Sequence, residues 1–312
     1  MRRSIVTSLA GFSLVLFVSA GIAQAEDIRG PIAVTKTIFD NSQLVEDVTC
    51  LETANPCIEF GASHITLRLN GFILTGPAAS ISECTPVFPP NPNDGILISD
   101  QTHARVLGPG MVEKFRRHGI LMLGTLLPNP ISTNVTIRHV TVHQNCFSGL
   151  FMGGVTDSVI EDNVSVRNAV NSTVASCGAN CIINSHNNHI RRNHFAGTGS
   201  VGPPSNDFGV GLNGNSSGNV IEHNSIGGNI IGVRIQTNAA GNVIRQNVIA
   251  GNPPSQVAFT FGDQVGADIH DANPVPGSGS RNTIDRNWCV TYSGPGPAPC
   301  PNFPGPGPSD NK

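Results

Sequence analysis

The stretch Gly218–Asn252, GNVIEHNSIGGNIIGVRIQTNAAGNVIRQNVIAGN, says one thing twice. NVIEHNSI begins at Asn219 and NVIRQNVI at Asn242, 23 residues later. A fixed period of that size predicts stacked units, because one such unit cannot bury its apolar face alone. With the isoleucine of this phrase as origin, the pattern recurs at Ile137, Ile160, Ile190, Ile221, Ile244 and Ile284. Three residues on stand Asn163, Asn193, Asn224, Asn247 and Asn287, with Val140 breaking the column in the first copy. Eight residues on stand Asn145, Asn168, Asn229 and Asn252. A second apolar phrase follows the first: GILI from Gly95, GILM from Gly119, GLFM from Gly149, CIIN from Cys181, GVGL from Gly209 and GVRI from Gly232.

Two or three short strands per repeat, turned by Asn and Gly, with no helical period, predict an all-β parallel solenoid. Coils would stack about 4.8 Å apart. Equivalent asparagines then lie above one another and form a hydrogen-bonded ladder. Asn and Gly also tolerate the left-handed backbone that tight turns require. One residue after each origin the charges read Arg138, Glu161, Arg191, Glu222, Arg245, Asp285. Alternating signs on successive coils predict a structural column of ion pairs, each worth about 0–1 kcal/mol.

The remaining segments fit an exported chain. Met1–Ala25 reads as a secretory signal: Arg2 and Arg3, an apolar run from Ile5 to Ile22, then Ala23-Gln24-Ala25. Residues 26–60 read as an N-terminal cap, 61–292 as the solenoid, and the Pro/Gly-rich 293–312 as a tail. All eight cysteines follow the signal, and an even count in an exported protein predicts disulfides. Cys50 with Cys57, Cys177 with Cys181 and Cys289 with Cys300 are near enough to pair locally, leaving Cys84 with Cys146. Charge is sparse, 12% of residues and net −3, with no basic stripe, which disfavours nucleic acid. Past the signal no stretch could cross a membrane. Insertions at 77–93, 124–132, 169–180, 196–206 and 262–280 are expected on one face, the binding face.

NGFILTG from Asn70, NVTIRHVTV from Asn134 and the repeated N-x-I-x-x-N phrase resemble the right-handed parallel β-helix repeat family, the pectin-lyase-like superfamily. The resemblance spans about Ile65 to Trp288. It implies a right-handed parallel β-helix, here of roughly eight coils with N- and C-terminal caps, in the periplasm or secreted. The family's members include polysaccharide lyases, hydrolases, epimerases and accessory proteins of metalloenzymes. The N-T-D phrase, adjacent Asp pair and G-H-G phrase of its polygalacturonase-like hydrolases have no full counterpart here.

Elimination or epimerisation at a uronate needs a base and a cation to hold the enolate-like intermediate. Glu113, Lys114, Arg116, Arg117 and His118 put five ionisable side chains into six residues. Asp94 and His118 precede equivalent strands, which predicts that they stack about 5 Å apart. These six residues are the candidate catalytic set. Asp263, Asp268, His270 and Asp271 form a lesser candidate cation site. No cofactor is required; calcium is the one the resemblance allows. The expected partner is a polysaccharide or another cell-envelope component. Two other readings compete: a non-catalytic adhesive solenoid, favoured by the single Trp and single Tyr, and a metalloenzyme accessory protein, favoured by the ten His.

Overall fold

The computed structural model describes residues 25–78, 84, 93–124, 132–168, 177–197, 208–252, 256–259, 262–265, 267–273, 282–294 and 300, the strands at 256–259 and 262–265 without their side chains. The signal segment before Ala25, most of the tail and most insertion residues lie outside them. Among the described residues every regular element is a strand. Three long sheets dominate, each parallel throughout. The first has ten strands, from Glu26–Ile28 to Thr283–Asp285; the second has eight, from Val48–Thr49 to Val248–Ala250; the third has ten, from Lys36–Ile38 to Tyr292–Ser293. One coil visits them in turn: Val220–Glu222, Ser225–Gly227, Ile231–Ile235, then back to the first sheet at Val243–Arg245. This is a parallel β-helix. Residues 26–60, read above as a cap, also supply strands to all three sheets.

The register follows the repeat. Ile137, Ile160, Ile190, Ile221, Ile244 and Ile284 form one stack in the first sheet. Ile221, Phe195, Ile226 and Leu212 are at most 1% exposed and fill the bore between the sheets. Branched side chains suit this pleated, crowded interior. The third sheet differs at one point from the sequence alignment. Cys181 pairs with Gly211, so Ala179 and not Cys181 shares the column of Gly149 and Gly209.

Each corner carries an asparagine ladder. Between the first and second sheets, Asn163, Asn193, Asn224, Asn247 and Asn287 each take both the backbone N–H and the side-chain amide of the coil before, except that Asn163 receives Val140's N–H alone. Asn188, Asn219, Asn242 and Asn282 repeat this between the third and first sheets. Asn145 with Asn168, and Asn229 with Asn252, form the third corner's ladder. The left-handed position is not filled by the ladder asparagines. His139, Asp162, Arg192, His223, Gln246 and Arg286, one residue earlier, have φ between 50° and 58°. That backbone costs an ordinary L-residue about 1–2 kcal/mol, and the inward amide that follows offsets it. Four disulfides join Cys50–Cys57, Cys84–Cys146, Cys177–Cys181 and Cys289–Cys300.

Candidate functional site

The charged column of the first sheet is scaffold. Glu161 accepts from Arg191 at 2.8 Å and Arg192 at 2.7 Å and faces Arg138 at 3.4 Å; Glu222 pairs with Arg245 at 2.7 Å. Burial pushes the Glu161 carboxyl up, but the arginine hydrogen bonds and charges outweigh it and hold the pKa below its ordinary value.

The run from Glu113 to His118 divides between two environments. Glu113, at the end of a second-sheet strand, meets Lys114 at 3.2 Å and His143 at 3.4 Å. Arg117 and His118 turn into the corner leading to the third sheet. There the Arg117 fork donates to both oxygens of Asp94, at 2.8 and 2.6 Å, and the His118 N–H donates to the same carboxylate at 3.1 Å. The expected stacking of Asp94 and His118 is therefore present. Asp94 has no exposure and His118 has 4%. Burial raises the Asp94 carboxyl and Arg117 opposes it. Burial prevails and the pKa lies above its ordinary value, while among the described residues the carboxylate meets three N–H donors and no acceptor, an arrangement that suits the anion.

His118 Nδ1 accepts the N–H of Ser148 at 3.2 Å, which leaves the ring proton on Nε2. Burial first, and then the Arg117 charge, hold this imidazole well below its ordinary value. Its ring packs on Phe151, centroids 4.6 Å apart. Arg116 binds Asn93 through its backbone N–H, and its Nε is buried without a hydrogen-bond partner among the described residues. Asp94, Arg117 and His118 thus form a buried clamp between coils beside the third sheet.

Among the described residues the lesser cation set does not converge. The Asp268 carboxylate is taken by Asn252, Val290 N–H and Thr291 N–H; that of Asp271 by Asn273 and Asn282. His270 stacks in register with Arg234, whose charge disfavours a cation. The Asp263 side chain lies outside the described residues.

The sequence did not single out the outer face of the third sheet. Connections from the first sheet to the second are four residues at most, and only two (His139 and Val140) between Thr136–Arg138 and Thr141–His143. The long connections border the third sheet. On its entry side Thr75 leads to Ile96, Val166 to Asn180, Ala196 to Phe208 and Ala250 to Ala267. On its exit side Leu123 leads to Thr136 and Asp271 to Thr283. Long connections thus flank the outer face of that sheet on both edges, most of their residues outside the described ones. Its outward positions include Leu97 and Phe151, both partly exposed, and Leu121, which is only 2% exposed. At its exit edge lies a hollow of about 490 Å³, lined by Ser99, Asp100, Leu123, Gly124, Phe151, Gly153, Ile183 and Asn184. Gly153 opens it: a Cβ there would lie 3.1 Å from both Leu123 and Phe151. The signal that could have found it is a column of apolar outward residues where the first sheet has paired charges.

A family model described as periplasmic copper-binding protein (NosD) matches residues 77–264, more than half of the chain. The chain belongs to the NosD family. It is a right-handed β-helix protein, and NosD is a periplasmic family; four disulfides fit that export. Among the described residues no helix is long and apolar enough to cross a membrane. A search of curated proteins returned no match. Solved structures similar to this NosD-family chain include the mannuronan C-5 epimerase AlgE4 A-module of Azotobacter vinelandii. It is 15% identical with a TM-score of 0.39, over 86% of this chain and 80% of that one. The Dettilon tailspike protein (gp208) is 13% identical with a TM-score of 0.33, over 86% of this chain and 61% of that one. At these TM-scores neither likeness bears on function.

Proposed function

We propose that this periplasmic β-helix protein binds an extended polysaccharide in the furrow over its third sheet. The observation that carries the reading is the confinement of long connections to the two borders of that sheet, where variable loops can wall a ligand. Its outer face repeats at the coil spacing and offers the partly exposed Phe151 ring, Leu97 and Ile183 to the apolar face of a sugar. No catalytic step is assigned to Asp94, Arg117 and His118. The carboxylate is spent on the guanidinium, and the imidazole has its acceptor nitrogen already used. Titration calorimetry of the exported protein against acidic and neutral oligosaccharides tests the reading. Phe151→Ala and Gly153→Val should each weaken the bound glycan tenfold or more; equal affinity in both variants would refute the furrow as the site.

The family description favours a second reading, copper binding. Copper sites draw on thiolate, thioether and imidazole. All eight cysteines are in disulfides. Met122 and Met152 are buried in the core, and the partly exposed Met111 lies between Ile73 and Thr141 of the adjoining coils, which are not copper ligands. All ten histidines are among the described residues, where no group of three His, Cys, Asp or Glu could hold an ion. These residues do not fit a copper centre. Stoichiometric copper retained by the purified protein after dialysis would reverse this conclusion.

A further inference from the structure

Along the furrow the outward column changes character. Past Leu97, Leu121 and Phe151 come Cys181 and Gly211, then Arg234 and His270 on successive coils. Gly211 is required where it stands, because a Cβ would lie 1.8 Å from the carbonyl oxygen of Cys177. The disulfide-closed turn at Cys177–Cys181 therefore crosses the row and separates the apolar stretch from the basic one.

Arg234 is half-buried, and its guanidinium carbon lies 4.8 Å from the centre of the Phe208 ring. The ring holds the planar group in place. Its Nε is buried and has no hydrogen-bond partner among the described residues. Burial alone pulls its pKa down; no carboxylate contributes. In the next coil His270 Nδ1 is likewise buried and without a partner among the described residues. The nearby Asp271 and Asp268 carboxylates are engaged by Asn273, Asn282, Asn252 and backbone N–H groups. An arginine cannot shed its charge, and a buried charge left unpaired is costly. The guanidinium calls for an acceptor, and His270 Nδ1 donates to the same acceptor in the tautomer that carries its proton there.

We propose that Arg234, seated on Phe208 beside His270, is a subsite for a carboxylate-type oxyanion, so that the polymer in the furrow is acidic. The inference rests on the furrow reading above. A guanidinium meets a carboxylate through two parallel N–H···O bonds, which a lysine cannot reproduce.

The test uses calorimetry with three ligands: an oligouronate, its carboxyl-reduced neutral counterpart and a monouronate. The expected result is oligouronate binding that falls tenfold or more in Arg234→Gln, recovers only in part in Arg234→Lys, and leaves neutral-glycan binding unchanged. Circular dichroism of both variants confirms the fold. Monouronate binding that needs Arg234, with neither oligomer bound, supports the subsite and overturns the furrow. Equal binding of both oligomers, unchanged in Arg234→Gln, overturns the subsite and keeps the furrow. No binding of any ligand overturns both.

Discussion

The first and third sheets are two sides of the same repeat, and they are built to opposite rules. On the first sheet the outward column pairs Arg138 and Arg191 with Glu161, then Arg245 with Glu222, and the chain leaves it through very short turns. On the third sheet the outward column is apolar and then basic, with Arg234 Nε and His270 Nδ1 lacking a hydrogen-bond partner among the described residues, and the connections at its borders vary in length. Regular placement marks the scaffold, where Glu161 and Glu222 already have their arginine partners. The proposed site lies where the repeat stops satisfying itself.

The comparison breaks first if the buried clamp beside the furrow proves dispensable. Arg117→Met leaves Asp94 as an uncompensated buried charge and should cost about 3–5 kcal/mol, read as a lower denaturant midpoint. A loss under about 1 kcal/mol would mean the clamp is not structural. Next comes the ladder. Asn224→Ala strands the N–H of Asn193 and removes the side-chain donor to the Ile190 carbonyl, while the Asn193 amide and the Asn247 amide oxygen each lose one of two hydrogen bonds. At about 1–3 kcal/mol for a buried group left unsatisfied, a loss of about 2–4 kcal/mol is expected after relaxation; unchanged stability would remove the ladder from the account.

A third prediction concerns pH. His118 and His270 have folded-state pKa values below their ordinary ones. The unfolded chain therefore binds more protons below about pH 6.5. Stability should fall as pH drops from 7 towards 5, and His118→Asn should flatten that slope. An identical slope in the variant would contradict the buried neutral imidazole. Glu161 and Glu222, depressed in the folded state, add their loss only at lower pH, as it falls through their folded values. The smallest effect belongs to the first sheet: Arg245→Gln should cost less than about 1 kcal/mol, since a partly exposed pair gains little. A larger loss would show that the column does more than balance charge.

The isoleucine stack, the asparagine columns and the alternating charges were all legible in the sequence, because stacking forces equivalent residues onto one line. The pairing of Asp94 with His118 was legible for the same reason. Their burial was not: the letters of Glu113–His118 do not say that Arg117 turns inward while Lys114 stays on the second sheet. Arg234 was hidden inside GVRI, a phrase that reads as core, and its isolation depends on which carboxylates its neighbours have already claimed. The confinement of long connections to one sheet emerges only when the turns are assigned to corners.

Hydrogen–deuterium exchange of the protein with and without saturating oligouronate tests the division between the two sheets most directly. Protection confined to the third-sheet strands Ile96–Ser99, Ile120–Leu123, Leu150–Gly153 and Ile231–Ile235, with the first sheet unchanged, is the predicted result. Protection centred on the first sheet, or none on either, would contradict it.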